Sequence, residues 1–338
     1  MKRIALDGRM TRQMSVGMKT YARELMARLP HVAPEFSYVT FERGSNFGID
    51  EQIRLPVSIA RSRPSLTHYL SLYMPLFVPS PFVVTIHDLI HLRFPEMHKR
   101  RVVPYYATVV RRACARAARI ITDDERTIED LERYLHVDPH KVRVVPLGIE
   151  ERFLASAIPF VAPRPYLLNV GNHREHKDLM TLLRAWSSLP ERIKLDLYFT
   201  GPDDFDGELE RCSNEHRQAK AIGDVDPDAL AALYAGAFAL VHPALLEGFG
   251  LPMLEAMAMG CPVIACRDAV PAVLAPDALI FAARDHTTLR DSIVRLYDDA
   301  GLVAQLREAG MRRARSLTWA RCARGTADIY TEVLEDPR

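Results

Sequence analysis

The feature that most constrains this chain is a pattern that runs twice. Short apolar runs of the kind that form buried strands alternate with longer amphipathic stretches, as in a parallel sheet flanked by helices. The first series reads RIALD, the helical TYARELMARL, FVVTIHD, the helix-like VVPYYATVVRRACARAA, RIITDD, a short helix around 127–134, and VRVVPLG. Residues 155–165, ASAIPFVAPRP, hold three prolines and little charge, and read as a linker. The series then restarts with YLLNVG, a helix over about 178–189, KLDLYFTG, a helix near 227–235, AFALVHP, a helix near 252–259, PVIAC and ALIF. The tail, SLTWARCARGTADIYTEVLED, reads as a long amphipathic helix with Trp319, Ile329 and Val333 as packing residues. The expectation is an α/β chain of two doubly wound, Rossmann-like domains, 1–160 and 161–316, followed by a C-terminal helix over 317–338. Such sheets bind ligands outside the carboxyl ends of their strands, and two in tandem place a cleft between them.

A length of 338 residues suits two domains, and 48% hydrophobic with 26% charged residues is enough to bury two cores. Five cysteines without CxxC spacing indicate neither a disulfide framework nor a zinc site, so a reducing, cytoplasmic setting is expected. The start, MKRIALDGRM, lacks the apolar core of a signal peptide and reads as a first strand. A net charge of +1 argues against a nucleic-acid partner. Lys and Arg outnumber Asp and Glu before residue 160 and are outnumbered after it, which suits an acidic or membrane-surface partner for the first half. The uncharged stretch between Asp228 and Glu247 approaches the length of a membrane span. Gly236, His242 and Pro243 interrupt it, however, and it reads as a helix followed by a buried strand.

The sharpest chemical signal is EGFGLPMLE, residues 247–255. Glu247 is expected at the end of an apolar strand, with two glycines after it that let the backbone approach a ligand. Pro252 suits the first turn of a helix, where its missing N–H costs nothing. The amides of Gly248, Phe249, Gly250 and Leu251, at that helix N-terminus, would form an anion site without a basic side chain. Glu255 is expected on the helix's first turn. Two carboxylates at opposite ends of an amide-rich loop suit a ligand with hydroxyls on both sides of a phosphate. The plain alternative is a glycine turn between a solvated and a capping glutamate.

This segment resembles the EX7E signature of glycosyltransferase family four, the group 1 retaining enzymes of GT-B fold, with Glu247 and Glu255 as its two glutamates. The likeness extends over TIHDLIHLRFP, VRVVPLGIE, YLLNVGNHREHKDLMTLLRAW and GDVDPDALAALYAGAFALVHPALLEGFGLPMLEAMAMGCPVIA, and LTW matches the family's late tryptophan at Trp319. The resemblance implies that Glu247 faces the donor sugar, that Glu255 binds the ribose, and that the final helix crosses back to the N-terminal domain. In GNHREHK, Lys177 suits a charge-assisted hydrogen bond to a diphosphate, about 1.5–3 kcal/mol, that strengthens as charge grows on the leaving nucleotide. A solvated basic turn is the alternative. Many relatives carry an arginine where this chain has Asn172, which leaves Arg174, His176 or a neutral bond from Asn172 to complete the clamp.

In SVGMKTY the resemblance puts Gly17 at the donor phosphate, with Lys19 where a second glycine is common. It assigns His87 to the donor sugar's outer hydroxyls and leaves Asp88 either to orient it or to meet the acceptor. His68 and Tyr69 are expected to line the acceptor side, and Gly223 and Val225 to pack against the nucleobase. Asp204 with Asp206, and Asp224 with Asp226, form DxD strings of the kind that hold a metal in another glycosyltransferase fold. Beside turn residues, and with an anion loop at hand, neither is expected to bind one. The basic segment with Arg100, Arg101, Arg111, Arg112, Arg116 and Arg119, beside Tyr105 and Tyr106, reads either as a solvated helix face or as a contact with an anionic membrane.

The resulting expectation is metal-independent, retaining transfer of a sugar from a nucleotide diphosphate donor to a glycan or lipid-linked acceptor, with no cofactor. A front-face substitution, in which the departing phosphate oxygen takes the acceptor's proton, is what the resemblance implies. Domain closure would exclude water. The GNxxxHK variant is similar to bacterial mannosyltransferases of surface polysaccharide (lipopolysaccharide, O-antigen) synthesis, so GDP-mannose is the first choice and UDP-sugars the second. A sugar-nucleotide epimerase on the same architecture is one rival. A non-catalytic partner subunit, suggested by Asn172 and by Asp124 where relatives often have serine, is another. The expected location is cytoplasmic, either free or peripheral at the inner face of the cell membrane.

Overall fold

The computed structural model describes residues 1–13, 15–46, 48–78, 81–97 and 102–335. The apolar runs form strands because they are covered on both faces: Ile4, Ala5 and Leu6 are fully buried, as are Leu167, Leu168, Leu240 and Val241. In the first sheet these are β1 (Lys2–Asp7), β2 (Phe36–Phe41), β3 (Leu66–Tyr69), β4 (Phe82–Thr85), β5 (Arg119–Thr122) and β6 (Val142–Val144). The second sheet holds β7 (Tyr166–Asn169), β8 (Asp196–Phe199), β9 (Ala219–Ala221), β10 (Ala239–His242), β11 (Val263–Cys266) and β12 (Leu279–Phe281). Every pairing is parallel, in the orders β2-β1-β3-β4-β5-β6 and β12-β11-β10-β7-β8-β9.

Contacts divide the chain into two compact units, 1–148 with 318–338, and 149–317. The first break lies twelve residues before the expected boundary at 160. The reason is that the proline-rich run packs on the second unit. The Phe160 amide donates to the Ala232 carbonyl (2.9 Å), and the rings of Phe153 and Tyr234 lie 6.1 Å apart. Low charge and prolines marked this run as a linker, yet its backbone is held.

The return to the first unit is made at Gly148. A Cβ there would stand 2.1 Å from the Trp319 nitrogen, so a glycine is required for the two strands of chain to pass. The helix Trp319–Glu335 then lies against the helix Val16–Val32, burying Trp319, Ala323 and Tyr330. Arg119 and Arg143 both grip Glu332, at 2.8 and 2.5 Å.

In each sheet the strand order reverses direction at one place, between β1 and β3 and between β7 and β10. Ligands bind beside such reversals because the loops leaving the two strands go to opposite faces and leave a crevice. Strands β7 and β10 pair through Ala239 with Leu167 and Leu240 with Leu168. Beyond that pairing the Asn169 amide donates to the Val241 carbonyl (2.9 Å), holding the two strand ends in place.

The uncharged stretch is the helix Pro227–Gly236 followed by β10. Asp226 caps that helix, accepting from the amides of Asp228 (3.0 Å) and Ala229 (2.8 Å). Among the described residues no helix is long and apolar enough to cross a membrane. The basic segment departs from the expected single helix. It comprises Val102–Tyr105, a wider turn Tyr106–Val110 and Arg111–Arg116, while Arg119 opens β5 and Tyr106 is buried. Arg111 and Arg112 are exposed; Arg100 and Arg101 lie outside the described residues.

Candidate active site

The loops after β7 and β10 bring Lys177 and Glu247 together in the second unit. Lys177 closes a tight turn, Glu175–Lys177, behind β7. Glu247 is not at a strand end as expected: β10 stops at His242, and the carboxylate stands on the loop beyond it. That loop is tied to the first by the Leu245 amide, which donates to the His176 carbonyl (2.8 Å). Lys177 Nζ donates to Glu247 Oε1, and His242 Nε2 reaches the same oxygen at 2.9 Å. Burial alone would raise the pKa of Glu247. The Lys177 ammonium and the His242 bond outweigh it and hold the carboxyl well below its ordinary range. The group is therefore an anion, fixed on one oxygen. His242 was not singled out in the sequence, although its place at a strand end five residues before Glu247 was a signal for it.

Past Glu247 the chain turns through Gly250, whose φ of +73° favours glycine, into the helix Leu251–Ala258 with Pro252 in its first turn. Phe249, 3% exposed, anchors the loop inward. Among the described residues the amides of Gly248, Phe249, Gly250 and Leu251 donate no hydrogen bond within the protein. Four free donors at a helix N-terminus make a preformed anion cradle.

Glu255 lies on the second turn of that helix rather than the first, since the helix begins at Leu251. Its Oε2 accepts from the hydroxyl of the buried Tyr234 (3.0 Å). Burial pushes its pKa up to about 7. The Tyr234 bond opposes the rise, and the nearby Glu150 carboxylate adds to it. Tyr234, like His242, was missed in the sequence because it reads as an apolar position on a core helix.

The remaining donor-side residues are placed less centrally. Asn172 and Arg174 are exposed, and Asn172 Oδ1 accepts weakly from the Arg174 amide (3.4 Å). His176 is buried behind the loop, so of the two substitutes considered for the missing arginine only Arg174 is free to reach solvent. His173 staples the loop down through Asp204 (2.5 Å) and the Thr200 carbonyl (2.8 Å). Asp204 is thereby a partner for histidine and Asp226 a helix cap. Gly223 pairs with Gly201 just beyond β8 and β9, and Val225 follows half-buried.

In the first unit His87 follows β4 by two residues. Its Nδ1 donates to Asp123 Oδ2 at 2.6 Å, and the Tyr21 ring meets it edge-on at 4.6 Å. Burial lowers the pKa of His87, but the Asp123 carboxylate, with Asp88 and the Leu70 carbonyl, more than offsets it and raises the value. Asp123 carries no sequence signal of its own: of the doublet at 123 and 124 only Asp124 is set apart by the resemblance, and it holds Arg126 (2.7 Å). Asp88 accepts from the Ile90 amide (3.0 Å) and is partly exposed.

Three expectations are corrected here. Gly17 is not in a loop but in the first turn of the helix Val16–Val32. His68 and Tyr69 are fully buried and cannot line an acceptor surface. His68 instead bonds Tyr330 Oη through Nδ1 (2.6 Å) and Thr85 Oγ1 through Nε2 (2.8 Å), and burial lowers its pKa to about 3, so it is neutral.

Two Rossmann-like units, one carrying a carboxylate-flanked anion cradle at its strand reversal, define the architecture of GT-B enzymes that use nucleotide-linked donors. The model for "Glycosyltransferase Family 4" matches residues 19–153 and that for "Glycosyl transferases group 1" matches residues 164–299. The chain belongs to this glycosyltransferase family. It is 25% identical over 264 residues to O-antigen chain mannosyltransferase B of Escherichia coli, covering 73% of this chain and 69% of that protein. It is 29% identical over 251 residues to MMP alpha-(1->4)-mannosyltransferase of Mycolicibacterium hassiacum, covering 71% and 57%. The matched stretch thus spans less than two thirds of the second relative. In fold it is similar to sucrose-phosphate synthase of Thermosynechococcus elongatus, with a TM-score of 0.76, 18% identity, and 99% and 100% of the two chains covered.

Proposed function

We propose that the chain transfers a hexose, mannose first, from a nucleotide diphosphate donor to a hydroxyl of a glycan or lipid-linked acceptor in surface polysaccharide synthesis, with retention and without a metal. The observation that carries this reading is the single oxygen of Glu247 held by Lys177 and His242 at the entrance to the amide cradle. In the reading, the cradle of Gly248, Phe249, Gly250 and Leu251 takes the diphosphate. Lys177, with donors to spare beyond the one spent on Glu247, meets the charge that gathers on the departing phosphate. Glu255 holds the ribose, Glu247 contacts the sugar, Gly223 with Val225 flank the base, and His87 in the first unit is read as a contact to a sugar hydroxyl. Mannose is favoured by the two mannosyltransferase relatives; GDP is the first choice of carrier, and UDP-sugars are the second.

The test is calorimetry with GDP, UDP and their sugar conjugates, followed by product analysis with GDP-mannose and polysaccharide fragments. Binding of a nucleoside diphosphate and an α-linked product support the reading. Absence of any nucleotide binding sinks it. The exposed face with Val103, Arg111 and Arg112 suits an anionic headgroup layer, and we assign it that contact, to be read by flotation with anionic against neutral vesicles.

A further inference from the structure

His87 is 9% exposed, and its Nε2 is enclosed without a hydrogen bond of normal geometry, although the Leu70 carbonyl lies close enough to favour the protonated ring. An enclosed ring nitrogen without such a bond is costly unless a ligand supplies one, so it is the atom of this ring with work left to do. The other nitrogen is committed. Nδ1 lies 2.6 Å from Asp123 Oδ2, and Asp123 is itself 2% exposed. Burial raises the pKa of Asp123 and the facing His87 ring opposes the rise; as a carboxylate Asp123 accepts only, so it fixes the proton on Nδ1 and with it the rotation of the ring.

A second constraint comes from the side. The Tyr21 ring stands edge-on to His87 at 84°, and its hydroxyl is bonded to Thr85 Oγ1 at 2.9 Å. Thr85 is bonded in turn to His68, and His68 to Tyr330 on the C-terminal helix. Four buried polar side chains, two from strands and two from helices, thus stiffen the wall against which His87 rests. The charged and titratable groups facing it are Asp123 and Asp88 from the loops after β5 and β4, with Tyr21 and the neutral His68.

We propose that Asp123 is a positioning residue. It locks the His87 ring through Nδ1–H and so presents Nε2–H as a donor to a hydroxyl oxygen of the donor sugar. The role of His87 rests on the proposed function; the lock itself does not. With the carboxylate in place the ring stays protonated to higher pH, and in that form Nε2 also carries a hydrogen.

The test is the full-length Asp123→Asn variant, which keeps the shape and removes the charge, with ring-nitrogen NMR of the histidine-labelled protein. In the wild type, His87 carries its proton on Nδ1 and titrates above free histidine. In Asp123→Asn its proton affinity falls at least tenfold. Transfer kinetics then show kcat down tenfold or more with donor KM within twofold, and the alkaline limb of the kcat profile moved down by one pH unit or more. Asp123→Glu recovers part of both. A His87 titration unchanged in Asp123→Asn overturns the proposal. So does a wild-type ring whose Nδ1 is the acceptor, a result that needs no variant to fold. A wild type with the expected ring but no turnover of any nucleotide sugar supports the lock and removes only the functional reading.

Discussion

At the scale of single residues, the second unit sets two glutamates eight positions apart in opposite electrostatic states. Glu247 is pinned as an anion by a cation and an imidazole, while Glu255 is half-buried beside a phenol and its pKa is pushed up to about 7. Replacing Lys177 with alanine removes the cation that offsets the burial of Glu247, so it costs some stability, and it lowers kcat by roughly 10²–10³, the effect of losing one preorganised donor to a leaving anion. Near-wild-type turnover in that variant would remove Lys177 from the chemistry. Glu255 gives a prediction with a definite sign. Its folded pKa is raised above the ordinary carboxylate value, so its contribution to stability is full below about 4.5 and is lost as pH rises through about 7. Glu255→Gln is therefore more resistant to urea than wild type at pH 8, by up to about 3 kcal/mol, and no different at pH 4. Its affinity for a nucleoside diphosphate is lower, and the wild-type affinity improves from pH 6 to pH 8 as the carboxylate ionises. Equal stability at pH 8 contradicts the burial argument. The pair was legible in the sequence because its spacing is a motif; the partners that set its charge, His242 and Tyr234, were not, because each looks like ordinary core.

At the scale of elements, what the sequence conveys well is period, and what it conveys poorly is where a surface is covered. The strands and the uncharged helix–strand run followed from alternation and length. The proline-rich run around 160 and the pair His68 and Tyr69 were misplaced for one reason: a residue's exposure depends on what returns to cover it. His68 is at a strand position that looks ligand-facing until the helix Trp319–Glu335, more than 240 residues later, brings Tyr330 onto it. That return depends on Gly148. Gly148→Ala forces a methyl against the Trp319 backbone, and denaturant titration should show a loss of about 1–3 kcal/mol or more in the first unit. Trp319→Ala, which empties a fully enclosed site, should cost roughly 3–5 kcal/mol.

At the scale of the whole molecule, sequence order and folding unit disagree. Residues 300–316 and 319–335 are neighbouring helices in the chain yet belong to different compact units. Hydrogen exchange in low denaturant should therefore open the helix Trp319–Glu335 together with residues 1–148, and the helix Ala300–Ser316 with the second unit. Addition of a nucleoside diphosphate should slow exchange over 171–177 and 245–255 and leave 319–335 unchanged. Coincident opening of both helices would contradict the division. The same arrangement bears on how the protein is made. As the ribosome releases the chain, the second unit is complete while the first still lacks the helix Trp319–Glu335, and the apolar seat awaiting Trp319 and Tyr330 stays bare until that helix emerges. The half-finished first unit is thus the nascent intermediate most exposed to aggregation or to capture by a chaperone, and the helix Trp319–Glu335 is what closes it.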